Sequence, residues 1–178
     1  TLVYLRLVQE VLRKGRTAIV LVPEIVLTPQ MMRKFSAYLG ETVAMLHSSL
    51  RMGERYDQWK RIRRGEIRVV LGTRSAIFAP LKNLGVVILD EEQESSYQSE
   101  NPPRYHARDI ARFRCGRDGA LMLLASATPS VESYYKAQRG VYTLVEMDRR
   151  ATDVELPEVS IVDVREDERV QNRRLIGE

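Results

Sequence analysis

Apolar residues along this chain fall into short unbroken runs set between stretches that repeat with a helical period. Residues 86–89 form the clearest run, Val86-Val87-Ile88-Leu89, ending on Asp90-Glu91-Glu92-Gln93. An unbroken β-branched run suits a strand buried on both faces, as in a parallel sheet. Similar runs predict strands over residues 17–22, 42–46, 67–71, 120–125 and 141–146. Strand and helix alternate throughout, which predicts an α/β domain of three layers with a mainly parallel sheet.

The helices between the strands carry start and stop signals. Tyr4, Leu5, Val8, Val11 and Leu12 make one apolar stripe, and Gly15 closes that helix. Thr28 reads as an N-cap with Pro29 at the first helical position, and Thr128-Pro129 repeats the pair. A third helix places Met52, Tyr56, Trp59 and Ile62 on one side and Arg51, Arg55, Lys60, Arg61, Arg63 and Arg64 on the other. Either a core stripe opposes a solvated face there, or the arginines touch a polyanion. Residues 105–117 read as a helix with a weak stripe through Ala107, Ile110 and Ala111, and Val131, Tyr134 and Tyr135 mark a further one. Beyond Met147 charges dominate and only residues 159–164 look strand-like. The expected organisation is a domain over 1–147 and a charged linker with one strand over 148–178.

Composition narrows the class. The chain has 178 residues, 44% hydrophobic and 29% charged, within the range of a soluble globular domain. Its longest apolar runs are strand-length, so none spans a membrane as a helix. A single cysteine, Cys115, excludes an internal disulfide and a zinc cluster of cysteines within this stretch, and favours a cytoplasmic setting. The net charge of +4 is mildly basic and tilts only slightly towards nucleic acid.

The unusual polar segments all follow strands: Pro23-Glu24 with Thr28, His47-Ser48-Ser49, Gly72-Thr73-Arg74, Asp90-Glu91 and Ser126-Ala127-Thr128. In a parallel sheet such segments share one edge, where open α/β sheets bind ligands. Carboxylates there suit a Mg²⁺ ion, while hydroxyls and an arginine suit a phosphate backbone.

With these segments in view, the chain resembles the first motor lobe of a superfamily 2 DNA helicase of the replication-restart kind. The matching pieces are Leu21-Val-Pro-Glu-Ile-Val-Leu-Thr-Pro-Gln30, Gly72-Thr-Arg-Ser75, Asp90-Glu-Glu-Gln93, Arg104-Tyr-His-Ala-Arg-Asp109 and Ser126-Ala-Thr-Pro129. The resemblance implies a RecA-like P-loop NTPase lobe using ATP and Mg²⁺. Asp90 would hold the metal, Glu91 would activate water, and Thr1 and Gln93 would also lie at the nucleotide. Pro23, Glu24, Thr28, Gln30, Thr73 and Arg74 would lie along single-stranded DNA, and Glu92, Ser126 and Thr128 would couple nucleotide to DNA. An aromatic-rich segment offering Tyr97, Arg104, Tyr105, His106 and Arg108 would sense DNA. For Tyr105 the alternative is the first buried residue of the following helix; for Thr128 it is a helix cap; for His47 a structural hydrogen bond is expected.

The same resemblance implies a 3′→5′ helicase of bacterial cytoplasm, associated with the nucleoid, acting on branched and single-stranded DNA. Single-strand-binding protein, primosome proteins and the replicative helicase would be its partners, and no membrane. Zinc would be held by cysteines beyond Glu178, not by this chain. Three departures stand out: no Gly-x-x-x-x-Gly-Lys-[Ser/Thr] occurs, Leu2 replaces a usual Glu, and Gln93 replaces a usual His. The expectation is therefore that these residues alone do not hydrolyse ATP. Rival readings are an inactive fork-binding scaffold with a decayed nucleotide site and a P-loop metabolic kinase, which leaves the Gly72 and Ser126 segments unexplained.

Overall fold

The computed structural model describes residues 2–24 and 29–147. The chain divides into two compact units, Thr1–Tyr142 and Thr143–Glu178. In the second, the described residues 143–147 form neither helix nor strand, and the expected strand at 159–164 and the linker lie outside the described residues.

The first unit runs α1 (Leu2–Arg13), β1 (Thr17–Leu21), α2 (Pro29–Leu39), β2 (Val43–Leu46), α3 (Met52–Arg64), β3 (Val69–Gly72), β4 (Leu84–Asp90), α4 (Ala107–Asp118), β5 (Leu121–Ala125) and α5 (Val131–Gln138). The strands pair in the order β2-β3-β1-β4-β5, all parallel. The alternation of the sequence thus becomes an α/β sheet with helices on both faces, as expected.

Period-two alternation sorts each strand between two cores. Ala18, Val20, Val86 and Ile88 face a core shared with Leu5 and Val8 of α1 and Phe35 of α2. Ile19, Leu21, Val87 and Leu89 face the opposite core with Ala107, Ala111 and Cys115 of α4. Both faces of β4 are buried, which is why its sequence is unbroken rather than alternating. β5 lies at the sheet edge and is less covered, with Leu121 51% exposed.

Register brings the functional segments together. Leu46 pairs with Gly72, Gly72 with Leu21, Leu21 with Leu89, and Leu89 with Leu124. All five strands therefore end on one line across the sheet. Gly72 is needed in that line, since a Cβ there would sit 2.1 Å from the Leu46 carbonyl oxygen.

Four expectations are corrected. Residues 141–146 form no strand: the amides of Val141 and Tyr142 turn back onto the Lys136 carbonyl at the end of α5. The stripe on α3 is not a core stripe, because only Ile62 is buried while Met52, Tyr56 and Trp59 are exposed. On α5, Val131, Tyr134 and Tyr135 are exposed and the buried residue is Ser133. Thr128 does not cap α5; the cap is Ser130, whose Oγ accepts from the Ser133 amide.

Candidate nucleotide and nucleic-acid site

Asp90 closes β4 and is tied down from two directions. The Tyr4 hydroxyl of α1 donates to its Oδ1 at 2.6 Å, and the Tyr97 hydroxyl donates to its main-chain carbonyl at 2.6 Å. Burial first, and then the carboxylate of Asp90, push both phenols well above their ordinary range. Both hydroxyls stay protonated and act as donors. Tyr4 was legible only as one member of an apolar stripe, and nothing in its spacing pointed to Asp90.

Glu91 follows with a left-handed backbone, φ 47°, uncommon for a residue other than glycine. Its Oε2 accepts from Gln93 Nε2 at 2.9 Å, and Gln93 Oε1 accepts from Ser126 Oγ at 2.6 Å. Ser126 Oγ in turn accepts from the Thr128 amide at 2.8 Å. A neutral amide at position 93 supplies both a donor and an acceptor, so Gln93 links the carboxylate after β4 to the loop after β5.

Glu92 is buried. Its Oε1 accepts from the Ser130 amide at 2.7 Å, and its Oε2 meets Arg108 at 3.0 Å, Ser133 Oγ at 3.0 Å and Ser130 Oγ at 3.2 Å. A buried carboxylate needs its lone pairs satisfied and its charge paired. This network does both, and it explains why a serine is the buried residue of α5.

The Asp90-Glu91 pair suits a magnesium ion. Mg²⁺ keeps several waters and takes one or two carboxylates plus substrate phosphates rather than an all-protein cage. Among the described residues no group of three or more His, Cys, Asp and Glu could hold a metal by itself. The donor set therefore fits an ion whose other ligands are water and phosphate.

On the same strand-end edge, a cleft of about 350 Å³ is lined by Glu24, Ser48, Arg55, Thr73, Arg74 and Ser96, among others. Ser48 Oγ donates to Glu24 at 2.9 Å. Arg55 donates to the His47 and Ser48 carbonyls at 3.3 Å, which brings this one arginine of α3 to the edge, whereas Arg61 and Arg64 meet Glu66 at the other end of the helix. Arg74 donates to the carbonyls of Ser96 (3.1 Å) and Gln98 and lies 5.9 Å from the Tyr105 ring. The Tyr105 ring meets Phe78 edge-on at 5.0 Å.

The sequence-predicted contacts divide. Glu24, Gln30 and Arg104 are exposed, Arg104 donating to the Glu100 carbonyl at 3.2 Å. Pro23 and Thr73 are buried, and Thr73 spends its amide on the Leu46 carbonyl at 3.1 Å. Tyr97, expected in the DNA-sensing segment, has no exposed surface and so presents no ring face to a base. His106 is the N-cap of α4, its Nδ1 accepting from the Arg108 amide at 3.1 Å. The helix thus starts at Ala107, two residues later than its pattern implied. Thr1 and Thr28 lie outside the described residues.

Residues 1–137 match the family model for the DEAD/DEAH box helicase. The chain is 51% identical over 177 residues to the replication restart protein PriA of Bacillus subtilis, covering 99% of the chain and 22% of that protein. It is 43% identical to PriA of Treponema pallidum, covering 100% of the chain and 27% of the relative, and 44% identical to PriA of Synechocystis, covering 99% and 22%. Among solved structures, the C-terminal domain of the DEAD-box protein Dbp5 aligns with 74% of the chain and 73% of its own length, at 19% identity and a TM-score of 0.47. The chain thus spans about a quarter of the length of the curated relatives it matches. Helicase sequence runs through most of the described fold, from α1 into α5, and the chain belongs to the DEAD/DEAH box helicase family.

Proposed function

We propose that this chain is part of the ATP-driven motor of a replication-restart DNA helicase. The observation that carries the reading is the Asp90-Glu91 pair at the end of β4, with Glu91 linked through Gln93 to Ser126. An ATP hydrolase needs a carboxylate for Mg²⁺ and a second group to orient water, and it must connect both to a segment that changes with nucleotide state. Asp90 would hold the metal, which when bound polarises the phosphates. Glu91 would orient the attacking water and accept its proton. Glu92, Gln93, Ser126 and Thr128 would pass nucleotide state on.

On the same reading, Glu24, Gln30, Arg74, Arg104 and Tyr105 contact single-stranded DNA along the strand ends. His106 acts there only by starting α4. Similarity to proteins named for replication restart supports a role of that kind; translocation in the 3′→5′ direction at branched DNA and stalled forks in the bacterial cytoplasm belongs to the same proposal, as the motif resemblance implies. The proposal also takes primosome proteins, the replicative helicase and single-strand-binding protein as partners, with zinc held elsewhere in the protein. Residues 148–178 would lead to a second motor lobe, and residues 1–178 alone would not turn over ATP.

The test is ATP hydrolysis by the full-length protein with and without a model fork, beside Glu91→Gln. Fork-stimulated hydrolysis that the variant lowers by about 10²–10⁴-fold, the range for loss of a positioned base, supports the motor. Fork binding without turnover would instead make the protein a scaffold and Asp90-Glu91 a relic.

A further inference from the structure

The turns that lead into the strands lie along the edge of the sheet opposite the candidate nucleotide site, and they are basic. Lys14 and Arg16 precede β1, Arg63 and Arg68 precede β3, Lys82 precedes β4 and Arg117 precedes β5. The strand order β3-β1-β4-β5 sets these turns side by side in one row. At about 4.8 Å between neighbouring strands the row is about 14 Å long. The acids among them are engaged: Glu10 meets Arg13 at 2.8 Å, Glu66 meets Arg61 at 3.4 Å and Arg64 at 3.8 Å, and Asp118 meets Arg117 at 2.7 Å. Lys14, Arg63 and Lys82 are exposed and make no ion pair among the described residues. The strand-end edge is the more acidic of the two, with Glu24, Asp90, Glu91 and Glu92 beside Arg55, Arg74 and Arg108.

The row is held as one surface. Arg16 donates to the carbonyls of Leu84, Asp118 (2.6 Å) and Gly119 (2.9 Å), and Arg68 donates to those of Leu12 (2.6 Å) and Arg16 (3.1 Å). Thr17 Oγ donates to the Lys82 carbonyl at 2.9 Å, and Asn83 Nδ2 to the Gly15 carbonyl at 3.1 Å. The turns are thereby fastened to one another, which lowers the cost of presenting their cations together. Because their partners are carbonyls and not carboxylates, Arg16 and Arg68 keep their full charge. Arg63, Arg68 and Lys82 also line, with Thr17, a hollow of about 170 Å³. Cations in the last turn of a helix offset the helix dipole, but Arg16, Arg68 and Lys82 stand outside the helices, and α2 ends without a basic residue.

A fixed row of cations suits a partner that is itself a rigid row of anions. Duplex DNA carries one negative charge per about 1.7 Å of its axis, or about eight over the length of this row. A single strand is held by stacking of its bases on aromatic rings as well as by charge. Residues 13–17, 61–68, 82–83 and 117–119 include no aromatic side chain.

We propose that this edge is a second nucleic-acid surface, on which Lys14, Arg63 and Lys82 hold the phosphate backbone of duplex DNA while the opposite edge serves the single strand. The surface goes beyond the motor reading and takes from it only that the duplex is DNA and that the single strand lies at the strand ends.

The experiment measures binding of the full-length protein to a labelled blunt duplex and to a labelled single strand by anisotropy, between about 0.05 and about 0.2 M salt. ATP hydrolysis stimulated by the single strand is read on the same samples. The variants are the triple Lys14→Gln, Arg63→Gln, Lys82→Gln and the charge-conserving triple Lys14→Arg, Arg63→Lys, Lys82→Arg. Each lost phosphate contact reduces the salt slope of log affinity by about 0.9. The neutral triple should therefore lose about 2.7 of that slope and bind the duplex about tenfold or more weaker at about 0.1 M salt. The charge-conserving triple should stay within about twofold of wild type. The two edges are separated by the length of β1, 5 residues or about 17 Å, beyond the Debye length of about 10 Å at about 0.1 M salt. Single-strand affinity and hydrolysis should accordingly change by less than about twofold in both triples. Unchanged duplex affinity and slope in the neutral triple overturn the proposal and leave the edge to an acidic protein segment. Equal losses for duplex and single strand also overturn it, since the charges would then act as a general field. A wild-type protein whose hydrolysis the single strand does not stimulate overturns the motor reading, while the duplex measurement still decides the proposal.

Discussion

Arg114 holds the loop that carries Arg74, and removing it should loosen that loop without unfolding the sheet. The residue sits on α4 and is buried. Its guanidinium donates to the carbonyls of Ile77, Ala79 (2.9 Å) and Leu81 (3.4 Å). Burial lowers its pKa, with Arg117 adding to the effect, and no ion pair with a carboxylate offsets the buried charge among the described residues. Arg114→Met removes a desolvated cation, which recovers part of what burial costs. It also leaves the Ile77 and Leu81 carbonyls without their donors, at about 1–3 kcal/mol each. The net loss for local opening is about 3 kcal/mol, or about a hundredfold in the opening equilibrium. Hydrogen exchange on peptides spanning residues 75–82 of the full-length protein reads this directly, because the amides of Ala76, Ala79 and Leu81 are bonded within the loop. Those amides should exchange about a hundredfold faster in Arg114→Met while the β1 and β4 amides hold, and Arg114→Lys should recover about half of the free energy. Acceleration below about threefold would show that α4 packing, not the guanidinium, holds the loop.

Two further predictions concern groups whose protonation the fold fixes. Burial, then the charge of Arg108, holds the His106 imidazole below its ordinary 6.5, and its neutral Nδ1 caps α4. Between the lowered folded value and 6.5 the unfolded chain binds more protons, so this contribution is intact above 6.5 and declines as pH falls below it. Protection at the first turn of α4, taken relative to the intrinsic exchange rate at each pH, should therefore fall on acidification from about pH 7.5 to about pH 5.5, and His106→Asn, which keeps a capping side chain, should flatten the response. An equally steep response in His106→Asn would assign it to another group. The Cys115 thiol is pushed up to about 11 by burial. At neutral pH a maleimide should modify Cys115 only after denaturation, followed by mass spectrometry of its peptide; rapid labelling of the native protein would contradict the packing of α4 on β5.

The sheet was legible because its signal is local and continuous. Four β-branched or aliphatic residues in a row before two acids suit a strand buried on both faces, as in a parallel sheet, and β4 is so buried. The edge shared by the strand-end segments followed from that alternation alone. Helix faces were less legible, because a period of 3.6 shows that one side is apolar and not what it meets. Met52, Tyr56 and Trp59 repeat correctly and remain exposed, whereas α5 buries Ser133 because Glu92 lies opposite. Polar networks were not legible at all. Residues 92, 108 and 130 to 133 have no common spacing, and only the fold brings them within hydrogen-bond reach. Tyr97 misled for a related reason: an aromatic in a polar segment reads as a stacking platform, and nothing local reports that the carbonyl of Asp90 awaits its hydroxyl.

The backbone at Glu91 sets chemistry and stability against each other. At φ 47° the residue the fold would accept most easily is glycine, followed by asparagine or aspartate, whose short side chains tolerate that region. Glutamate is a poor conformational choice there, and it is tolerated because β4 and the anchored residues on either side leave the chain no other course. A population of variants sorted for heat resistance alone would drift towards glycine at this position and lose the carboxylate. One sorted for turnover would keep the carboxylate and the strain together. Thermostabilising this protein by consensus of conformational preference would thus remove the group on which its hydrolytic chemistry is proposed to depend.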